Sequence, residues 1–215
     1  MAEVTIQIAA TGNDGSDHPA YGWIVDVCYF GGTVSGTAPV AGVRFPAVNV
    51  PQGATIDSAV LTIVEHSVAA GSIANIHVRW YGHAIDDAPD WGAASLPSGI
   101  TKTTAYADMD PATWVIETAR NITVTSIIQE IINRAGWAAN NDLRLALFND
   151  GSTAENYAYF VDYSDGVPSY AAKLVINYTE AASSNIKTVN GLAKANVKTV
   201  NQLAIASVKT WGGLG

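Results

Sequence analysis

A single cysteine, Cys28, is the chain's only thiol. One thiol cannot close an internal disulfide, so the fold must rest on burial and hydrogen bonding, with Cys28 read as a small buried side chain. Apolar runs approaching the roughly 20 residues of a membrane span are absent. The first residues, Met1 to Val4, carry no basic-then-apolar leader. The expectation is therefore synthesis in the cytosol, with no signal peptide and no membrane partner. Positive charge is scarce: 11 Lys and Arg against 19 Asp and Glu give a net charge of -8. Such a surface repels a phosphate backbone, which argues against nucleic-acid binding. A Gly-x-Ser-x-Gly elbow, a glycine-rich phosphate loop and a helical zinc pair are missing too, since His18, His66, His77 and His83 lack that spacing.

What is present reads as strands. Apolar residues make up 48% of the 215 positions, enough for a sizeable core. Val4, Ile6 and Ile8 alternate with Thr5 and Gln7, the period of a strand with one buried face. Residues 11–18 (TGNDGSDH) read as a loop, residues 21–30 as one strand, and residues 43–45 as a short strand stopped by Pro46. Residues 56–65 (IDSAVLTIVE) read as a central strand, and residues 73–81 as a strand with one wet face. Residues 82–111 look like long surface loops with at most one short strand. Ile127, Ile128, Ile131 and Ile132 form a stripe at helical spacing, with Ser126 and Gln129 as a capping box and Gly136 as the stop. Strands are expected again over residues 143–148, 156–163 and 171–178.

The segments VPQGATIDSAVLTI (50–63), DDAPDW (86–91), VTSIIQEIINRAG (124–136), DLRLALF (142–148) and YAAKLVINY (170–178), in that order, resemble DNRLRE-type carbohydrate-binding-like domains. Those domains are similar to jelly-roll modules of polysaccharide enzymes, bacterial surface proteins and phage structural proteins. Tyr21 with Gly22 and Arg44 with Phe45 match the family's early motifs, whereas residues 67–71 are short and residues 92–109 align with nothing. The resemblance implies an all-β, antiparallel jelly-roll β-sandwich with one short helix over residues 1–180.

Residues 181–215 read as a separate repeat tail. Residues 186–195 (IKTVNGLAKA), 197–206 (VKTVNQLAIA) and 208–214 (VKTWGGL) are three copies of one 11-residue unit. Lys187, Lys194, Lys198 and Lys209, with no acid after residue 184, give this tail +4 and the rest of the chain -12. Each unit is too small to bury its own apolar face, so the expectation is pairing between units, with copies of the chain, or with a partner's sheet edge. The anchoring residues would be Ile186, Val189, Leu192, Val197, Val200, Leu203, Val208 and Trp211. These repeats are similar to those ending tailed-phage virion proteins.

Taken together, these features favour a non-enzymatic structural or attachment protein on a virion surface. It would be a capsid decoration, fibre or tail-associated subunit, joined through its tail to other virion proteins or to itself and facing a host glycan. The alternative is a carbohydrate-binding module for a polysaccharide. Trp91, Tyr81 and Tyr106 are the candidate ligand-binding aromatics, because rings stack on sugar faces. Asp86, Asp87 and Asp90 are the candidate calcium ligands, hard oxygens on one loop, with Asp14 and Asp17 as a second such loop. Calcium is the one cofactor considered, in a structural role. Paired carboxylates at Asp86, Asp87, Asp90, Asp108 and Asp110 are weighed as catalytic and set aside, since loop acids are more often solvated or metal-bound.

Overall fold

The computed structural model describes residues 1–181 together with Thr188–Val189, Leu192–Ala193, Thr199–Val200 and Leu203–Ala204. The chain divides into two units, Met1–Thr179 and Glu180–Gly215. Strands of the first unit are β1 (Ala2–Gln7), β2 (Asp14–His18), β3 (Gly22–Ile24), β4 (Cys28–Gly31), β5 (Val40–Val48) and β6 (Thr55–Ala70). They continue with β7 (Val78–His83), β8 (Lys102–Met109), β9 (Ala119–Thr123), β10 (Asn141–Asn149), β11 (Tyr157–Phe160) and β12 (Lys173–Thr179), and helix α1 (Thr125–Ile132) follows β9. One sheet runs β1-β12-β6-β11-β4 with β9 also on β6, the other β3-β2-β5-β10-β7-β8, and every pairing in both is antiparallel.

Period-two alternation decides which side chains meet between the sheets. Leu61, Ile63, Phe30, Phe160, Leu174 and Ile176 of the first sheet share one core with Val43, Phe45, Val78, Trp80, Leu145 and Leu147 of the second. Trp80 and Phe160 face each other across it at 6.1 Å between ring centroids. Helix α1 adds Ile127, Ile128, Ile131 and Ile132, all buried. Gly82 is what lets the helix approach β7, because a Cβ there would stand 2.7 Å from both Ile127 and Ile131.

The sandwich and its single helix are as the sequence leads one to expect, while several boundaries differ. Residues 14–18 are not loop: β2 pairs with β5 and β3 despite its polar composition. Residues 21–30 split into β3 and β4, which belong to different sheets. Pro46 does not stop β5, because a bulge opposite Asn141 and Leu143 removes the need for its missing N–H. The next residue, Ala47, adopts φ 51° and donates its N–H to Asp142 Oδ1 at 2.7 Å. β8 and β9 were not foreseen as full strands. Nor does the capping box form. Gln129 instead accepts from Ile56 N–H at 2.8 Å and donates to the Ala54 carbonyl at 2.9 Å, tying α1 to the start of β6.

Two acidic groups are buried in contrasting ways. Glu65, 2% exposed, is paired with Arg120 Nε at 2.7 Å and receives the Val115 N–H. Asp14, fully buried, accepts from Tyr163 N–H at 2.9 Å through one oxygen, while the other has no partner. Desolvation, reinforced by the neighbouring Asp162 carboxylate, pushes Asp14 up from 3.8 to about 7.

In the second unit, Thr188–Val189 pairs antiparallel with Leu192–Ala193, and Thr199–Val200 with Leu203–Ala204. The described pairing is therefore within each of these two repeats; pairing between units or chains, expected from the sequence, falls on residues outside the described ones. A two-residue connection makes the intra-unit ladder the most local pairing open to the chain. Of the expected anchoring residues, Val189, Leu192, Val200 and Leu203 lie in these strands. Ile186, Val197, Val208 and Trp211 lie outside the described residues.

Candidate functional site

Among the described residues, the longest run of contacting rings follows from the alternation of two short strands. In β11 (YAYF), Ala158 and Phe160 point into the core, leaving Tyr157 and Tyr159 on the outer face. In β4, Cys28 and Phe30 point inward and leave Tyr29 outside, directly opposite Tyr159 in the register. A bulge where Tyr159 faces Ser67 and Phe160 faces Glu65 inserts His66, whose ring stacks on Tyr159 at 4.6 Å. From Tyr159 the strip continues to Tyr29 at 5.3 Å, to His18 at 5.3 Å and to Tyr21 at 4.9 Å. Tyr157 flanks Tyr29 at 6.0 Å.

Tyr21 stands 76% exposed on the turn between β2 and β3, backed by the buried His18. At the opposite end, His66 opens onto a hollow lined by Glu65, Ile116, Val167 and Tyr170, where Ile116 is 62% exposed. Among the described residues, the hydroxyls of Tyr21, Tyr29, Tyr157 and Tyr159 make no side-chain hydrogen bond within the protein. Burial and the neighbouring tyrosines raise the Tyr29 phenol, so it stays protonated and able to donate at neutral pH. His18 is lowered, chiefly by burial, and favours the neutral ring. The strip thus presents tyrosine rings with free hydroxyls, with His18 held neutral beneath Tyr21. The sequence signal is Tyr at alternate positions of YAYF and CYF, within segments expected as strands over residues 21–30 and 156–163.

The three aromatics singled out from sequence lie on the other sheet and separate there. Tyr81 and Tyr106 do meet, opposite one another on β7 and β8 at 5.9 Å, with Phe148 beside Tyr81. Cations already lie over these rings: Arg79 is 3.9 Å from the Tyr106 centroid, and Lys102 is 4.7 Å from Tyr81 and 3.5 Å from Phe148. Trp91 is not an exposed loop ring. It is 6% exposed, because its segment folds back across the outer face of the sheet and the ring settles over Gly42, where a Cβ would stand 2.9 Å from it. Trp23 at 6.1 Å and the Arg144 guanidinium at 3.8 Å complete its surroundings.

The loop acids also find different partners. Asp86 pairs with Arg134 Nε at 2.6 Å, Asp87 accepts from Asp142 N–H at 2.8 Å, and Asp90 pairs with Arg44 at 2.9 Å. Asp17 receives the Ser98 hydroxyl, which fastens the same segment to β2. Among the described residues, no group of three or more His, Cys, Asp or Glu is arranged to hold a metal ion.

No family model and no curated protein matches the chain, so neither resemblance read from the sequence gains a relative. One solved structure, the xylan-binding module CBM15, aligns with a TM-score of 0.34 and 12% identity over 84% of this chain and 100% of that chain. At that level the reading of function falls to the chain's own residues.

Proposed function

We propose that the Met1–Thr179 unit is a non-catalytic carbohydrate-binding module that takes a neutral glycan chain along the strip Tyr21–His18–Tyr29–Tyr159–His66. The observation that carries this reading is the unbroken series of ring contacts on an outer face with unengaged hydroxyls. Pyranose rings present C–H faces to aromatic rings and hydroxyls to polar tips, and an extended chain matches a linear series of rings. Neutral glycans are favoured over polyanionic ones on this face, because the formal charge before the tail is -12 and the strip contains neither Lys nor Arg. The finer topology, a jelly roll, belongs to the same proposal.

The Tyr81–Tyr106 face is the weaker alternative, since Arg79 and Lys102 occupy the ring faces a sugar would need. Virion attachment rests on the repeat sequence alone and has no comparable surface to support it, so it is retained only as a proposed role for the tail. Calorimetry of the full chain against soluble xylan, β-glucan and mannan tests the reading. Tyr29→Ala and Tyr159→Ala should each weaken binding about tenfold, equivalent to about 1.4 kcal/mol, while Tyr106→Ala should leave it unchanged. Absence of binding across the panel, or binding indifferent to both strip variants, rejects it.

A further inference from the structure

The outer face of the other sheet carries a row of four basic residues in cross-strand register. Arg44 on β5 is directly opposite Arg144 on β10. The pairing of Leu145 with Gly82 brings Arg144 beside His83 on β7, and His83 is opposite Lys102 on β8. With His83 neutral, Arg44 and Arg144 are the like charges that stand directly opposite one another, an arrangement that destabilises a sheet unless each has a compensating partner. Arg44 has one, in Asp142 and Asp90. Among the described residues Arg144 has none: it is fully buried beneath the segment that carries Trp91, and its one hydrogen bond to them is from Nη1 to Ser95 Oγ at 2.8 Å. Asp90 acts on it only at longer range, its carboxylate being 81% exposed and paired with Arg44.

The unpaired atoms concentrate at the same place. Arg144 Nε and Nη2, Trp91 Nε1 and His83 Nδ1 are all buried without a hydrogen-bond partner, four of the eight such side-chain atoms among the described residues. A buried polar group left unpaired is costly, and a buried charge more so. Three of these four atoms carry N–H donors in any protonation state, and neutral His83 supplies a fourth in its Nδ1–H tautomer. Donors without acceptors, two of them on one buried guanidinium, define the chemistry of what is missing from the set.

We propose that residues 84–101 form a strap over a buried site for one small oxyanion, a carboxylate or sulfate group held by Arg144 with Trp91 and His83. The site is separate from the tyrosine strip and stands or falls without it. The guanidinium fork donates from Nε and Nη2 to two oxygens of such a group, and the Trp91 indole N–H is a further donor. Entry requires the middle of the strap to lift: there Ser98 to Asp17 and Asp90 to Arg44 are exposed contacts, while Asp86 with Arg134, Asp87 and Ala88 with Asp142, and Ala84 with Thr101 hold its two ends.

Equilibrium dialysis of the full chain with radiolabelled sulfate, at ionic strength fixed with chloride, tests the proposal. The expected result is saturable binding of one sulfate per chain, accompanied by a saturable rise in melting temperature. Arg144→Met should abolish both. Sulfate also stabilises proteins by exclusion from their surface, but that effect grows without saturating and would persist in the variant. Should Arg144→Met not fold, the dialysis stoichiometry of the unmodified chain decides alone. No bound sulfate at millimolar concentration, or a melting rise that never saturates, overturns the site. Acetate and oligogalacturonate as competitors separate the sources: displacement by the oligomer at far lower carboxylate concentration than acetate assigns the group to a glycan, and equal displacement assigns it to a free ion.

Discussion

Asp14→Asn should stabilise the protein at alkaline pH by an amount that disappears on acidification. Asp14 is fully buried, with one oxygen unpaired and Asp162 close by, and its folded value is about 7 against 3.8. A carboxyl raised on folding holds its proton longer in the folded state. Its favourable contribution is therefore complete below pH 3.8 and is lost as pH rises through about 7. At pH 8 both states are ionised, and the folded state carries the whole penalty of a buried charge, about 4 kcal/mol from that gap. Asparagine keeps the acceptor for Tyr163 N–H and removes the charge. Urea unfolding from pH 4 to 8 should show the variant more stable than the parent by about 2–4 kcal/mol at pH 8 and close to it near pH 4. The comparison must be between the two proteins, because His83 titrates with the opposite sign over part of this range. A variant less stable than the parent at pH 8, or a difference independent of pH, refutes the reasoning.

Other outcomes follow from single contacts. Arg120→Met leaves the buried Glu65 carboxylate unpaired and should cost about 3–5 kcal/mol in chemical denaturation. Glu65→Gln leaves a guanidinium that can turn to water and should cost about 1–2 kcal/mol. Gly42→Ala sets a methyl 2.8 Å from Pro97 and 2.9 Å from Trp91. It should cost about 1–3 kcal/mol through overpacking and shift tryptophan emission to the red as the strap is displaced. His83, lowered by burial and then by Arg144 and Arg134 to about 4, should stay neutral from pH 8 down to 5 in an NMR titration. Its contribution to stability is lost as pH falls from the unfolded value near 6.5 through about 4, and His83→Phe should flatten that loss.

Helix α1 was legible because four isoleucines at helical spacing admit one burial solution, and its cap was not, because Gln129 found better partners in β6. Strands rich in branched residues, such as β6, β10 and β12, declared themselves. β2 did not, since Asp14, Gly15, Ser16 and Asp17 have low strand propensity, and the strand exists because β5 and β3 pair with it on both sides. Trp91 shows the limit of reading a site from sequence. A tryptophan amid aspartates suggests an exposed ring, yet the decisive residue is Gly42, 49 positions earlier in the chain, whose missing side chain makes the seat. The tyrosine strip needed knowledge that β4 and β11 are neighbours, a pairing of residues about 130 apart that no local pattern encodes.

The self-contained ladders of the two repeats bear on how this terminus can vary. When Val189 meets Leu192 and Val200 meets Leu203, each repeat satisfies its own pairing register. Gain or loss of a whole copy, as slippage at repetitive coding sequence produces, would leave the remaining ladders intact. For the ladders described, the number of copies is then free to change without disturbing either pairing.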